Sequence, residues 1–333
     1  MNDPARDYAF SPAAEERVTA LAPACAVKME NVTKRFGKVV ANNAINLELR
    51  EGEILSLLGE NGSGKTTLMN MLSGIYYPDS GEIFVDGQKV SIRSPKDALA
   101  LGIGMIHQHY KLIDVFTAAE NIVLGLEDQM SRQQVLSKIH DICEKYGFQI
   151  DPNQKVYNMS VSQKQTLEIV KVLYRGADIL ILDEPPAVLT PQESDKLFAV
   201  LANMRADNKA IVIITHKLHE VLSVSDRVSI LRKGEYVGTV PTREATELSL
   251  TEMMVGKKVK LDIERTKTEN KRLRLRVQGL TCYNKEGAKA LDNVSFEAYS
   301  GEILGIAGIS GCGQKELLEA IAGLQPSDRK SVV

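Results

Sequence analysis

Nine consecutive residues, Gly59-Glu60-Asn61-Gly62-Ser63-Gly64-Lys65-Thr66-Thr67, carry the chain's most specific chemistry. They fit G-x-x-x-x-G-K-[ST], the phosphate-binding P-loop. Glycines at these points let consecutive backbone N–H groups turn inward around phosphate oxygens at a helix N-terminus. Lys65 would reach the β- and γ-phosphates of a nucleotide, and Thr66 would offer a hydroxyl to Mg²⁺. Three further positions extend that chemistry. Asp183-Glu184 closes an apolar stretch, Ile179 to Leu182, where an acid can hold Mg²⁺ and its neighbour can accept a proton from an attacking water. His216 ends another apolar stretch, in the register for a residue touching the γ-phosphate. Gln108 follows a third and could reach the metal ion or the water. His107, His109, His140 and His219 show no ligand spacing.

The elements that must hold these residues are readable around them. Glu53 to Leu58 reads as a short buried strand before the loop, and a helix follows it to Gly74. Gly102 to His107, Ile179 to Leu182 and Ile211 to Ile214 read as further buried strands, with helices over Ser160–Tyr174 and Pro191 to about Arg205. Such alternation predicts a mostly parallel, helix-flanked α/β sheet. Ahead of it, Ala26 to Leu49 alternates as antiparallel strands do, and Ile83 to Gly87 ends a hairpin strand. Phe36, beside the glycine turn Gly37, could stack on a flat base or simply pack in its strand. Glu120 to Gly147 reads as mostly helical, with Val135, Ile139, Ile142 and Tyr146 on one face. Arg227 to Val240 returns to strands around Lys233-Gly234.

Composition bounds the rest. A chain of 333 residues suggests two domains or one large one, and a net charge of −2 argues against nucleic acid as an obligatory partner. The four cysteines are scattered without C-x-x-C spacing, as expected of a reduced cytosolic protein. No apolar run approaches the roughly 20 residues that span a bilayer, and acidic residues occupy the N-terminus where a signal peptide would be basic. Residues 1–24 read as a flexible tail, 25–256 as a complete domain with a helical part at about 109–175, and 257–273 as a charged linker. From residue 274 the sequence repeats itself: Gly52-Glu53-Ile54-Leu55-Ser56-Leu57-Leu58-Gly59 returns as Gly301-Glu302-Ile303-Leu304-Gly305-Ile306-Ala307-Gly308. Residues 274–333 are therefore expected to be an incomplete second copy.

Taken in order, Phe36, the loop at Gly59, Gln108, Ser160-Val161-Ser162-Gln163, Asp183-Glu184 and His216 resemble the ATPase subunits of ABC transporters. They match that family's A-loop, Walker A, Q-loop, signature, Walker B and H-switch. More narrowly, the chain is similar to the tandem-domain ATPases of sugar and nucleoside importers, with Met105-Ile106-His107-Gln108-His109 closest to nucleoside-type members. The resemblance implies an ABC-type P-loop fold and ATP hydrolysis with Mg²⁺, with Phe36 and residues 59–67 on the nucleotide, Thr66, Gln108 and Asp183 at the metal, and Glu184, Gln108 and His216 in catalysis. It implies two integral-membrane permease subunits, an extracytoplasmic substrate-binding protein, a second ATPase domain in trans, and a place on the cytoplasmic face of the membrane. An ATPase acting on ribosomes or DNA is the alternative, and a nucleotide-binding regulator without turnover another.

Departures from the family pattern set further expectations. The usual L-S-G-G-Q signature has Val161 and Ser162 at its glycines, and Thr190 replaces an aspartate. Pro186 stands where Ser or Thr is usual. In the second copy Gln314 replaces the P-loop lysine and Lys315 the hydroxyl. That second loop is expected to be impaired, and turnover by the chain as given to be slow.

Overall fold

The computed structural model describes residues 24–107, 110–126, 130–185, 189–257, 271–283, 287–308 and 312–326. Gln108, the tail before residue 24, Pro186 and most of the linker lie outside the described residues. The chain divides into two compact units, residues 1–259 and 260–333.

The first unit opens with long strands β1 (Cys25–Phe36) and β2 (Val39–Arg50), followed by the buried β3 (Ile54–Leu58) and helix α1 (Lys65–Leu72). Strands β4 (Ser80–Val85) and β5 (Gln88–Val90), helix α2 (Pro95–Ala100) and strand β6 (Ile103–Ile106) come next. Helices α3 (Ala118–Val123), α4 (Arg132–Tyr146) and α5 (Val161–Tyr174) precede the core pair β7 (Ile179–Asp183) and β8 (Ala210–Ile214), with α6 (Pro191–Ala206) between them. Helix α7 (Leu218–Val224), strands β9 (Arg227–Arg232) and β10 (Glu235–Pro241) and helix α8 (Glu247–Val255) complete the unit.

Two sheets result. The antiparallel one has the order β2-β1-β4-β5, and the larger one β10-β9-β3-β8-β7-β6, parallel except for its edge strand β10. Strands β3, β7 and β8 are buried at every position, which is why their sequences are continuous apolar runs rather than alternating ones. Successive side chains point to opposite faces. Leu180, Leu182, Ile211 and Ile213 enter a core shared with α4, α5 and α6, while Ile181, Val212, Ile214 and Leu57 enter one shared with α1 and the antiparallel sheet. The buried carboxylate of Glu53 joins the two sheets: it accepts from the Arg227 guanidinium at the foot of β9 and from Arg50 N–H (2.8 Å) at the end of β2, and Arg227 also donates to Glu48 O (2.9 Å).

The region expected to be mostly helical, Glu120 to Gly147, holds α3 and α4, each starting at its own capping box (Thr117 with Glu120, Ser131 with Gln134). On α4 it is Cys143 rather than Ile142 that lies fully buried beside Val135, Ile139 and Tyr146.

The second unit holds the hairpin β11 (Leu273–Tyr283) and β12 (Lys289–Tyr299) with helix α9 (Gln314–Ile321) over a small core of Val277, Leu280, Cys282, Leu291 and Leu317. Here the repeat diverges from its first copy. Residues 302–308 form no strand, and Ile303, the counterpart of Ile54, is fully exposed. In the first unit that strand sits between β8 and β9; among the described residues of the second unit no strand flanks it. Amide exchange by mass spectrometry should therefore find residues 54–58 protected and residues 303–307 exchanging about as fast as open loop. Comparable protection of the two segments would contradict this picture.

Candidate functional site

The parallel strands deliver the predicted residues to one edge of the sheet. The loop from Gly59 follows β3, Asp183 and Glu184 end β7, and His216 follows β8. In register, Leu57 and Asp183 both lie beside Ile214, so three carboxyl-terminal ends meet around one point.

The loop is built to a tight tolerance. Gly64, at φ +96°, is the residue before α1; a Cβ there would lie 2.4 Å from Ala41 O. A Cβ on Gly59 would lie 2.3 Å from Leu231 O. Lys65 is buried, and its ammonium donates to Gly59 O (2.7 Å) and Glu60 O (3.0 Å), so the loop wraps around its own cation. Burial pulls the Lys65 pKa down, while Glu184 and Asp183 pull it back up. The N–H groups of Lys65, Thr66 and Thr67 open the helix, with no carbonyl one turn earlier to receive them. Ser63 Oγ is buried without a partner among the described residues.

Across from the loop, burial raises the pKa of the Asp183 carboxyl, and Glu184 raises it further; a hydrogen bond with the Thr66 side chain and the charge of Lys65 act the other way. Glu184 sits at φ +49°, a left-handed conformation uncommon for a glutamate, held by its N–H to Ile214 O (2.9 Å). Its carboxylate meets His216 Nδ1 at 3.2 Å. Backbone N–H groups and a buried ammonium suit a polyphosphate, and a hydroxyl beside a carboxylate supplies the hard oxygen donors that Mg²⁺ prefers. The residues present therefore fit a magnesium nucleotide.

Of these groups, the loop from Asn61 to Thr67 and Glu184 line a cavity of about 610 Å³, while Asp183 and His216 do not; its other walls were not singled out in the sequence: Val39, Val40 and Ala41 from β2, and the turn Lys233-Gly234 between β9 and β10. The turn is locked to the loop, since Gly234 N–H donates to Ser63 O (3.1 Å) and Gly234 O accepts from Asn43 N–H (2.8 Å). Phe36 does not line this cavity. It is 43% exposed at the hairpin tip and packs edge-on against Tyr76, centroids 5.1 Å apart. The N-terminus of α5 stands apart as a self-satisfied cap: Ser160 Oγ accepts from Gln163 N–H (3.2 Å), and Gln163 Oε1 accepts from Ser160 N–H (2.9 Å). Val161, at one of the positions where the family pattern has glycine, is 41% exposed there, and Thr190 caps α6 in the same way.

A glycine-cradled anion site at the carboxyl edge of a parallel sheet, with an acid pair opposite, defines the class: a P-loop nucleotide-binding cassette. Residues 42–187 match the family model described as ABC transporter, so this part of the chain is similar to the ATP-binding cassettes of that family. Over 310 residues it is 44% identical to the nucleoside import ATP-binding protein NupA of Lactococcus lactis subsp. cremoris, and 44% to the guanosine import ATP-binding protein NupO of Bacillus subtilis. It is 39% identical to the ribose import ATP-binding protein RbsA 1 of Streptomyces avermitilis. These alignments take in 92% of this chain but only 58% to 61% of the relatives, so the chain spans about three-fifths of their length. Among solved structures it resembles a dimeric ATP-binding cassette bound to ADP and Pi (TM-score 0.58, 26% identity, 65% of this chain and 99% of the other). A nucleotide-free cassette from an ABC transporter has the same fold (TM-score 0.61, 22% identity, 70% and 95%).

A raised carboxyl pKa means that the folded chain holds that proton more tightly than the unfolded one. At neutral pH the charge of Asp183 therefore opposes folding, and the penalty fades as pH falls toward the folded value. Asp183→Asn should raise the melting temperature of the nucleotide-free protein at pH 7.5, by an amount that shrinks at pH 5, while weakening Mg²⁺-dependent nucleotide binding. A drop in melting temperature at pH 7.5 would mean that the Thr66 hydrogen bond and the charge of Lys65 outweigh burial.

Proposed function

We propose that the chain is the ATP-binding and ATP-hydrolysing subunit of an importer for nucleosides or simple sugars. The observation that carries this reading is one cavity lined by the loop, Lys65 and Glu184, with Asp183 joined to it through Thr66 and His216 through Glu184. The names of the relatives support importers, with nucleoside and guanosine import at the higher identity.

In this reading, residues 59–67 orient the triphosphate and Lys65 offsets its charge. Thr66 and Asp183, with Gln108, would hold Mg²⁺, which when bound neutralises charge between the β- and γ-phosphates. Glu184 accepts the proton of the water that attacks the γ-phosphorus as the bond to the bridging oxygen breaks. His216 keeps the Glu184 carboxylate turned toward that water. Phe36, three residues before the first β2 position that walls the cavity, is proposed to meet the base once nucleotide is present. The working assembly would sit on the cytoplasmic face of the membrane. It would comprise two permease subunits, an extracytoplasmic substrate-binding protein and a second ATPase domain. Among the described residues no helix is long and apolar enough to cross a membrane, which fits a subunit attached through its partners.

Calorimetry with Mg-ATP should show Lys65→Ala binding about 10- to 100-fold more weakly, the equivalent of one charge-assisted contact of roughly 1.5–3 kcal/mol. Glu184→Gln should keep that affinity and lose phosphate release. Equal affinity in wild type and Lys65→Ala would overturn the assignment of the cavity. The transport reading has its own check. Deleting the gene should abolish nucleoside uptake and leave ribose and galactose uptake normal if the cargo is a nucleoside; the reverse pattern assigns a sugar, and no change in either discards the importer.

A further inference from the structure

Lys233 occupies a position whose backbone asks for a different residue. Strands β9 and β10 are joined by the two-residue turn Lys233-Gly234, with φ +50° and +80°. Both values are left-handed, the pattern of a type I′ hairpin turn, whose first position favours Asn, Asp or Gly. The hairpin between β4 and β5 uses that chemistry in the same geometry, with Asp86 at +48° and Gly87 at +75°. The lysine at 233 thus strains a turn that an asparagine would ease.

What distinguishes the two turns is what they face. Nothing lies within 4 Å of a Cβ placed on Gly87, whereas one on Gly234 would be 2.9 Å from Ala41 O and 3.1 Å from Val40 O. Gly234 is bonded to the phosphate loop through Ser63 O, so the backbone of its neighbour Lys233 is fixed relative to that loop. Lys233 lines the nucleotide cavity, is exposed, and makes no ion pair within 4 Å among the described residues. The cavity's other lysine, Lys65, is by contrast buried and engaged by two carbonyls.

We propose that Lys233 is a second phosphate-facing cation of this cavity, placed there by a strained turn to raise affinity for the anionic nucleotide. The inference rests on the nucleotide reading of the site. Its test separates charge from turn geometry. Lys233→Asn relaxes the left-handed position and removes the charge; Lys233→Arg keeps both the strain and the charge. Mg-ATP affinity should fall about fivefold in Lys233→Asn, with a melting temperature at or above wild type, and should stay near wild type in Lys233→Arg. The loss should shrink as salt rises and be smaller for AMP than for ATP. Unchanged ATP affinity in Lys233→Asn, or equal losses in both variants, overturns the inference while leaving ATP binding by the wild type intact. Absence of Mg-ATP binding by the wild-type chain overturns the reading of the cavity itself.

Discussion

The structure of the site depends on one buried ammonium. Lys65 has left water for a position where its ammonium donates to Gly59 O and Glu60 O, with the Asp183 and Glu184 carboxylates beyond. Removing an ammonium from solvent is expensive unless its donors are satisfied. The loop resolves this by bending its own carbonyls onto the cation, and the N–H groups that follow open helix α1. An anion site and a stabilised cation are then two sides of one backbone path. The path needs Gly64 where it passes Ala41 O and Gly59 where it passes Leu231 O, because a side chain at either would collide with backbone that cannot yield.

The acid pair and the histidine owe their placement to strand direction. Parallel strands end together, so chemistry encoded more than a hundred residues apart in sequence is gathered at one edge without any long-range signal in the sequence itself. Strands β3, β7 and β8 are covered on both faces, and the cores on either side fix their heights relative to one another. The Glu53–Arg227 pair does the corresponding job at the opposite end of β3, where it ties the antiparallel sheet to the parallel one. The walls of the cavity contributed by β2 and by the β9–β10 turn rely on that connection between sheets.

What could be read beforehand follows from this. The apolar runs at Ile54, Ile179 and Ile211 announce buried parallel strands, and the residues at their ends were legible as chemistry because type and position agree. Val39, Val40 and Lys233 were not legible as site residues. They belong to hairpins of ordinary alternating pattern; Lys233 reaches the loop because β9 pairs with β3, and Val39 and Val40 reach it from the other sheet. Helices α2, α7 and α8 were also missed. Each is short, from six to nine residues, too brief for a periodic apolar face to emerge, although the Ser94–Asp97 cap and the Thr246–Ser249 box were local signs of two of them. Ile142 and Cys143 are adjacent on α4, and both stand three or four residues from Ile139 and Tyr146, so spacing alone did not decide which one is the more buried.

The repeat in the second unit separates what glycines encode from what side chains encode. Gly313 precedes α9 at φ +92°, nearly the +96° of Gly64 before α1. A Cβ on Gly308 would meet Cys312 Sγ at 2.2 Å, as one on Gly59 would meet Ser63 Oγ at 2.4 Å. The turn into the helix is thus the same at Gly64 and Gly313. Gln314, at the lysine position, donates to Ile306 O (2.8 Å), satisfying one carbonyl as Lys65 does but carrying no charge. Lys315, at the position of Thr66, lies 3.7 Å from the Glu319 carboxylate on the exposed side of α9 and supplies no hydroxyl. The entry into the helix is thus alike in the two copies, while Gln314 and Lys315 supply neither a cation nor a hydroxyl at the positions of Lys65 and Thr66.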